Sequence, residues 1–279
     1  MTLQNLKSIL VGFNPEDKAP SSALRYALSL ASQAGAHVSV CSLTPEMTIT
    51  HAFVSDVAAG LVASENRRLR EVADAATEQA RQDCITAGIP CTAEVVQEHY
   101  SVLAPQFAKR ARIHDATIVD AEPDSLSLGR GLLEETLFGS GRPLVVVPKG
   151  TDTFHCRRIV IAWDGSARAT RAVNDALPFL RGADQVEILS VSGEKDLSQS
   201  IAGAELAPHL VRHGVNCAVK DLASKDGDVG ETIRTQAGLL RADLLVMGAF
   251  VHSRLRQLVL GGVTQSMLKS CPVPLLLSY

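Results

Sequence analysis

Apolar residues along this chain arrive in two alternating rhythms. Short uninterrupted runs, such as Ile9–Val11 and Ile159–Trp163, read as strands buried on both faces. Between them, apolar positions recur at helical steps. Ala169, Ala172, Val173, Ala176, Leu177 and Leu180 form one stripe, and Val229, Ile233, Ala237 and Leu240 form another. The second half thus predicts strands at Ile159–Trp163, Val186–Val191, Cys217–Leu222, Leu244–Met247 and Leu275–Leu277, with a further helix after Gly262. Pro178 is expected to kink or end its helix. The first half repeats the scheme, with Leu24, Ala27, Leu28 and Ala31 as its first stripe. It differs by an insertion around 46–80, where Leu69, Val72, Ala73, Ala76 and Ala80 predict a longer helix.

The repetition extends to local sequence. SILVGFNP (8–15) resembles RIVIAWDG (158–165), and AGIPCTAEVV (87–96) resembles HGVNCAVKDL (213–222). HDATIVDAEP (114–123) matches RADLLVMGAF (241–250), and RPLVVVP (142–148) matches VPLLLSY (273–279). Four matches in one order imply two related halves, residues 1–150 and 154–279, joined near KGTDTFHC (149–156). Strands alternating with helices imply parallel sheets with right-handed crossovers and helices on both faces. Ligands of such sheets sit beyond the carboxyl ends of the strands, where strand order reverses. That rule points to the loops after Trp163, Val191 and Met247, and to their counterparts after Phe13, Leu43 and Asp120.

Composition narrows the partners. Aromatic residues are only 4% of the 279, so the cores must be aliphatic, as suits parallel sheets under Ala-rich helices. A net charge of −3 supplies no field that draws nucleic acid or an anionic membrane. No apolar run approaches the roughly 20 residues needed to span a bilayer, and MTLQNLKSILVGF lacks a cleavage pattern. A cytoplasmic protein with reduced, mostly buried thiols is expected from six scattered cysteines without a CxxC pair.

The candidate chemistry lies in MGAFVHSRLRQLVLGGVT (247–264). A glycine turn before a helix lets backbone amides approach a polyphosphate, and the amides of Gly261, Gly262 and Val263 are suited to this. Arg254 and Arg256 stand within reach of a phosphate or are ordinary solvated loop residues. With IVIAWDGS (159–166) and PVPLLLS (272–278), the stretch resembles the universal stress protein family; the likeness covers nearly the whole chain and is sharper in the second half. The family's nucleotide-binding members carry Gly-x-x-Gly, nine residues, then Gly and Ser or Thr. Gly248 fits the first position, Val251 replaces the second glycine, nine residues (252–260) follow, and Gly261 fits the third. Gly262 replaces the Ser/Thr, with Thr264 two positions on.

The resemblance implies that Asp164 contacts ribose, that Val191 lies against adenine, and that Gly248, Gly261, Gly262, Val263 and Thr264 surround the phosphates. From the residues alone, Asp164 in Asp-Gly-Ser equally reads as a turn or helix cap. Trp163 reads as core at least as well as a purine contact. Loss of the Ser/Thr hydroxyl costs about 1 kcal/mol. Val251 is the larger departure, because a β-branched residue resists positive φ. The first half has Asn14 for Asp164 and Asp120 for Gly248, a carboxylate where a phosphate would lie, and is expected to be a non-binding copy.

Other motifs fail. There is no Walker A sequence, and LGRGLLEE (128–135) lacks a third glycine. His209 and His213 share a helical spacing without a third ligand, and Ser140 is not in a nucleophile elbow. No catalytic or metal constellation stands out. The expected fold is therefore α/β, two tandem universal-stress-protein-like domains, each with a five-stranded parallel sheet. The resemblance implies that their last strands, PLVVVP and PLLLS, pair antiparallel as a pseudo-dimer. The expected function is binding of ATP or another adenine nucleotide, with Mg²⁺ accompanying ATP, by a stress-response sensor or adaptor. Hydrolysis would be slow at most, and the oligomeric state, homodimer or not, and any protein partner stay open. Two alternatives also remain open: an interaction scaffold of the same fold without nucleotide, and a binder of another small ligand in the same cleft.

Overall fold

The computed structural model describes residues 3, 5–17, 21–48, 56–124, 127–193, 203–249, 251–254 and 257–279, with 251–254 and 257–259 described by backbone alone. The first half runs β1 (Ser8–Phe13), α1 (Ser22–Ala34), β2 (His37–Glu46), α2 (Asp56–Thr86), β3 (Cys91–His99), α3 (Tyr100–Ala111), β4 (Ala116–Asp120), α4 (Leu128–Gly139) and β5 (Leu144–Val147). The second runs β6 (Arg158–Ala162), α5 (Ala167–Leu180), β7 (Gln185–Ser192), α6 (Gly203–Arg212), β8 (Cys217–Ala223), α7 (Val229–Leu240) and β9 (Leu244–Gly248). It closes with a hairpin of β10 (Val251–Arg254) and β11 (Gln257–Leu260), then α8 (Gly262–Lys269) and β12 (Leu275–Ser278).

Ten strands form one sheet in the order β3-β2-β1-β4-β5-β12-β9-β6-β7-β8. Each half is a five-stranded parallel sheet, and β5 meets β12 antiparallel with Val145 opposite Leu276. The expected pseudo-dimer is thus one continuous sheet. Strand order reverses between β1 and β4 and again between β6 and β9, which opens a crevice at the carboxyl ends of each pair.

The uninterrupted apolar strands bury both faces, and period 2 decides which layer each residue enters. Ile9, Val11, Ile159, Ile161 and Leu276 pack under α1 and α5, together with Tyr26, Leu30 and Phe179. Leu10, Val160, Leu275 and Leu277 pack on the opposite face with Phe107, Leu133, Ile233 and Met267. Pro178 lies inside α5, which ends two residues later at Leu180. Proline has no N–H to donate to the Asn174 carbonyl one turn back, and the helix stops soon after it. The inserted helix α2 buries only Leu69, Ala73, Ala80 and Cys84. No described helix is long and apolar enough to cross a membrane.

The sequence repeat has a physical counterpart in two aspartates. Asp115 accepts hydrogen bonds from the amides of Lys7 (2.8 Å) and Ser8 (2.9 Å). Asp243 accepts from Arg157 and Arg158 in the same way, both at 2.9 Å. Each carboxylate ties the start of a first strand to the start of a fourth. The connector between halves is fastened to α1. Arg25 pairs with Asp152 at 2.8 Å. The Phe154 amide donates to Ser29 Oγ at 3.1 Å, and Gln33 Nε2 donates to the Phe154 carbonyl at 3.1 Å. The Phe154 ring lies between Tyr26 and Phe179, at centroid distances of 5.5 and 5.9 Å, and so touches both halves.

Candidate functional site

The crevice of the second half is built at the ends of β6, β7 and β9. Just past β6, Trp163 still donates its amide to the Leu189 carbonyl (2.8 Å), and its ring is 5% exposed in the core beneath α5. The chain then turns on Asp164, whose Oδ1 accepts the Ser166 amide at 3.1 Å, with Gly165 at φ 70°. Ser166 caps α5 by accepting the Ala169 amide, also at 3.1 Å. The turn-forming reading of Asp164 is therefore realised.

Gly248 ends β9 directly against the first turn of α5. A Cβ there would collide with the backbone of Ala169 and Arg168. Only glycine lets β9 and α5 approach this closely. Val191, half-buried at the end of β7, pairs with Leu222 and packs against the second core layer.

The segment between Gly248 and Gly261 is a β-hairpin, whereas its sequence reads as an irregular loop. Its register sets Val251 opposite Leu260, which brings Val251 beside the start of α8. Arg256 lies outside the described residues, as does the side chain of Arg254. Gly261 is the N-cap of α8 (φ −65°, ψ 152°) and supplies no side-chain cap. Gly262 opens the helix, and among the described residues nothing lies within 4 Å of a Cβ built on it. Val263 is half-buried, while Thr264 is fully buried, so its side chain belongs to the core. The amides of Gly262, Val263 and Thr264 are in the first turn, where no intrahelical acceptor exists. The helix dipole adds partial positive charge there.

The equivalent places in the first half are closed by the protein itself. Asn14 repeats the turn of Asp164, accepting the Glu16 amide at 3.1 Å. The α4 N-terminus is capped by Ser127, which accepts the Arg130 amide at 3.0 Å. Glu122 lies over that same turn. A Cβ on Gly129 would stand 3.0 Å from Glu122 Oε2. Asp120, the counterpart of Gly248, accepts from Ser21 Oγ (2.6 Å) and from the Ala23 amide (2.9 Å) at the start of α1. This refines the sequence expectation, since Asp120 serves α1, and Glu122 is the carboxylate at the helix that follows the loop. Glu122 carried no sequence signal beyond its charge two residues after Asp120. The remaining cavity is about 50 Å³, lined by Asn14, Asp17, Asp120, Glu122 and Lys149 among others. Nucleotide-sized pockets are several times larger. Burial, with Asp17 nearby, pushes the Asp120 carboxyl up despite its hydrogen bonds to Ser21, Ala23 and Ser22.

His209 and His213 stack edge-on at 4.7 Å, and Arg181 Nη2 lies 3.1 Å from His213 Nδ1. Among the described residues, no three His, Cys, Asp or Glu side chains are grouped to hold a metal ion.

Comparison with known proteins agrees with this architecture. Residues 155–278 match the universal stress protein family. The chain is 29% identical over 150 residues to the universal stress protein Slr1230 of Synechocystis sp.; the match covers 52% of this chain and spans about half (49%) of that protein. A universal stress protein from Archaeoglobus fulgidus DSM 4304 superposes with a TM-score of 0.67 at 16% identity, covering 99% of this chain and 97% of that one. A functionally unknown protein from Pseudomonas aeruginosa PAO1 superposes at 0.57, also at 16% identity, covering 99% and 93%.

Proposed function

Because the chain carries a universal stress protein domain at residues 155–278 in a two-domain frame of that fold, we propose that it binds one adenine nucleotide, in the second half, and serves in stress response as a sensor or adaptor. The observation that supports this is the asymmetry of two equivalent helix starts. The N-terminus of α4 is occupied by Ser127 and Glu122, whereas that of α8 has a glycine cap and, among the described residues, open space at Gly262. The amides of Gly262, Val263 and Thr264 receive the phosphates, with Gly261 shaping the turn. Asp164 accepts from the ribose hydroxyls, and Val191 lies against the base. Gly248 keeps β9 close to α5, so that the crevice floor stays fixed. With ATP bound, Mg²⁺ would neutralise part of the phosphate charge.

One observation favours the scaffold reading instead. The hairpin register sets Val251 beside the α8 start, where the nucleotide-binding pattern has glycine. The two readings separate on purified protein. Denaturing it and chromatographing what is released yields an adenine nucleotide under the first reading and nothing under the second.

A further inference from the structure

The two sides of the pseudo-twofold seam are not equally filled. Near the end of β12, Tyr279 packs edge-on against Phe138 of α4, with centroids 5.0 Å apart, and Arg168 covers the Tyr279 ring at 4.7 Å. The internal repeat identifies the matching positions on the other side. Tyr279 follows Pro274 by five residues, as Pro148 follows Pro143. Phe138 precedes the helix C-cap Ser140 by two, as Leu268 precedes Ser270. A proline and a leucine thus replace two rings, and a cavity of about 210 Å³ remains. Val146, Pro148, Leu268 and Cys271 give it an apolar lining, and Lys149 and Lys269, both exposed, border it from the two halves.

We propose that this seam cavity binds a small organic carboxylate with an apolar body of about six carbons, its headgroup between Lys149 and Lys269. A cavity of about 210 Å³ accommodates a short acyl or aryl body and leaves the carboxylate at the lysines. Neither lysine makes an ion pair among the described residues, so both charges are available. Lys149 also borders the closed first-half cleft, whereas Lys269 borders the seam cavity. The chain's net charge of −3 gives no general attraction for anions, so recognition rests on these two cations and weakens with salt. The inference is independent of the nucleotide reading, whose residues lie at the other helix end of α8.

Cys271 supplies the reporter, because its thiol lines the cavity. Burial pushes that thiol up to about 11, so alkylation is followed at alkaline pH. The full chain is treated with iodoacetamide with and without hexanoate, and peptide mass spectrometry follows Cys271 and, as internal control, Cys91. Hexanoate should slow labelling of Cys271 alone, with an apparent dissociation constant of roughly 1 mM. A K149Q/K269Q double variant should raise that constant about tenfold. L268F, which restores a ring, should abolish the hexanoate effect. Labelling of Cys271 that hexanoate leaves unchanged in the wild type overturns the proposal. So does an apparent constant that is unchanged in K149Q/K269Q, whose surface substitutions leave the core intact.

Discussion

The carboxylate of Glu122 rests on the first turn of α4 at Gly129, so near that a Cβ on the glycine would be 3.0 Å from Oε2. At the same turn of the second half, Gly261 gives no side-chain cap and no described atom lies within 4 Å of a Cβ built on Gly262. One chain thus holds a closed and an open version of a single structural position. The following expectations test what each version does.

Gly248 and Gly262 both belong to the glycine pattern, yet their surroundings differ. A methyl group on Gly248 meets the backbone of α5, which cannot swing aside, whereas one on Gly262 meets open space. G248A should cost about 1–3 kcal/mol of stability by overpacking. G262A should be neutral or slightly stabilising, as alanine suits a helix better than glycine. Urea unfolding of the two variants checks the contrast, and equal losses would remove the steric account.

The open space at Gly262 also admits a hydroxyl. G262S should gain about 1 kcal/mol of nucleotide affinity, near fivefold, by adding one donor to the phosphate. Calorimetry on wild type and variant reads this directly. No gain, with the fold intact, would argue that phosphate does not reach α8.

Burial raises Asp120 and Asp175 above the ordinary 3.8, with Asp175 held by Ser278 Oγ at 2.8 Å. The folded protein therefore binds these protons more tightly than the unfolded chain does. Their stabilising contribution is complete below 3.8 and is lost as pH rises through the raised values. D120N and D175N should match wild type in acid and become relatively more stable toward neutrality. Urea midpoints measured across that range should diverge upward for the variants; a gap that shrinks with rising pH would contradict the sign.

Phe154 touches Tyr26 and Phe179, one from each half. F154A should cost about 3–5 kcal/mol, as large aromatic deletions in cores do. Because the ring is shared, both halves should lose stability within one transition. Two separated transitions in a calorimetric scan would mean that the connector does not couple them.

Much of this architecture was legible from residue pattern. Strands at Ile159, Leu244 and Leu275 were readable because parallel strands buried on both faces are apolar without interruption. The seam was implied by the likeness of PLVVVP to PLLLS within the family pattern. Less visible was how side chains turn in space. Asp120 reads as a carboxylate in the phosphate position, yet it serves α1, because Ser21 and Ala23 reach it first. Glu122, two residues on, closes α4 without any motif of its own. The hairpin at 251–260 was hidden because a strand pair of four residues each is too short for its period to stand out. Thr264 looked available as a hydroxyl, and only helix phase shows that it is fully buried.

The central claim is one nucleotide site per chain, in the second half. Calorimetric titration of the full chain with ATP and Mg²⁺, beside an Asp164→Ala variant, tests it most directly. The account predicts a stoichiometry near one per chain and at least tenfold weaker binding in the variant, about 1.4 kcal/mol. Two sites per chain, no heat at millimolar ATP, or unchanged affinity in the variant would contradict it.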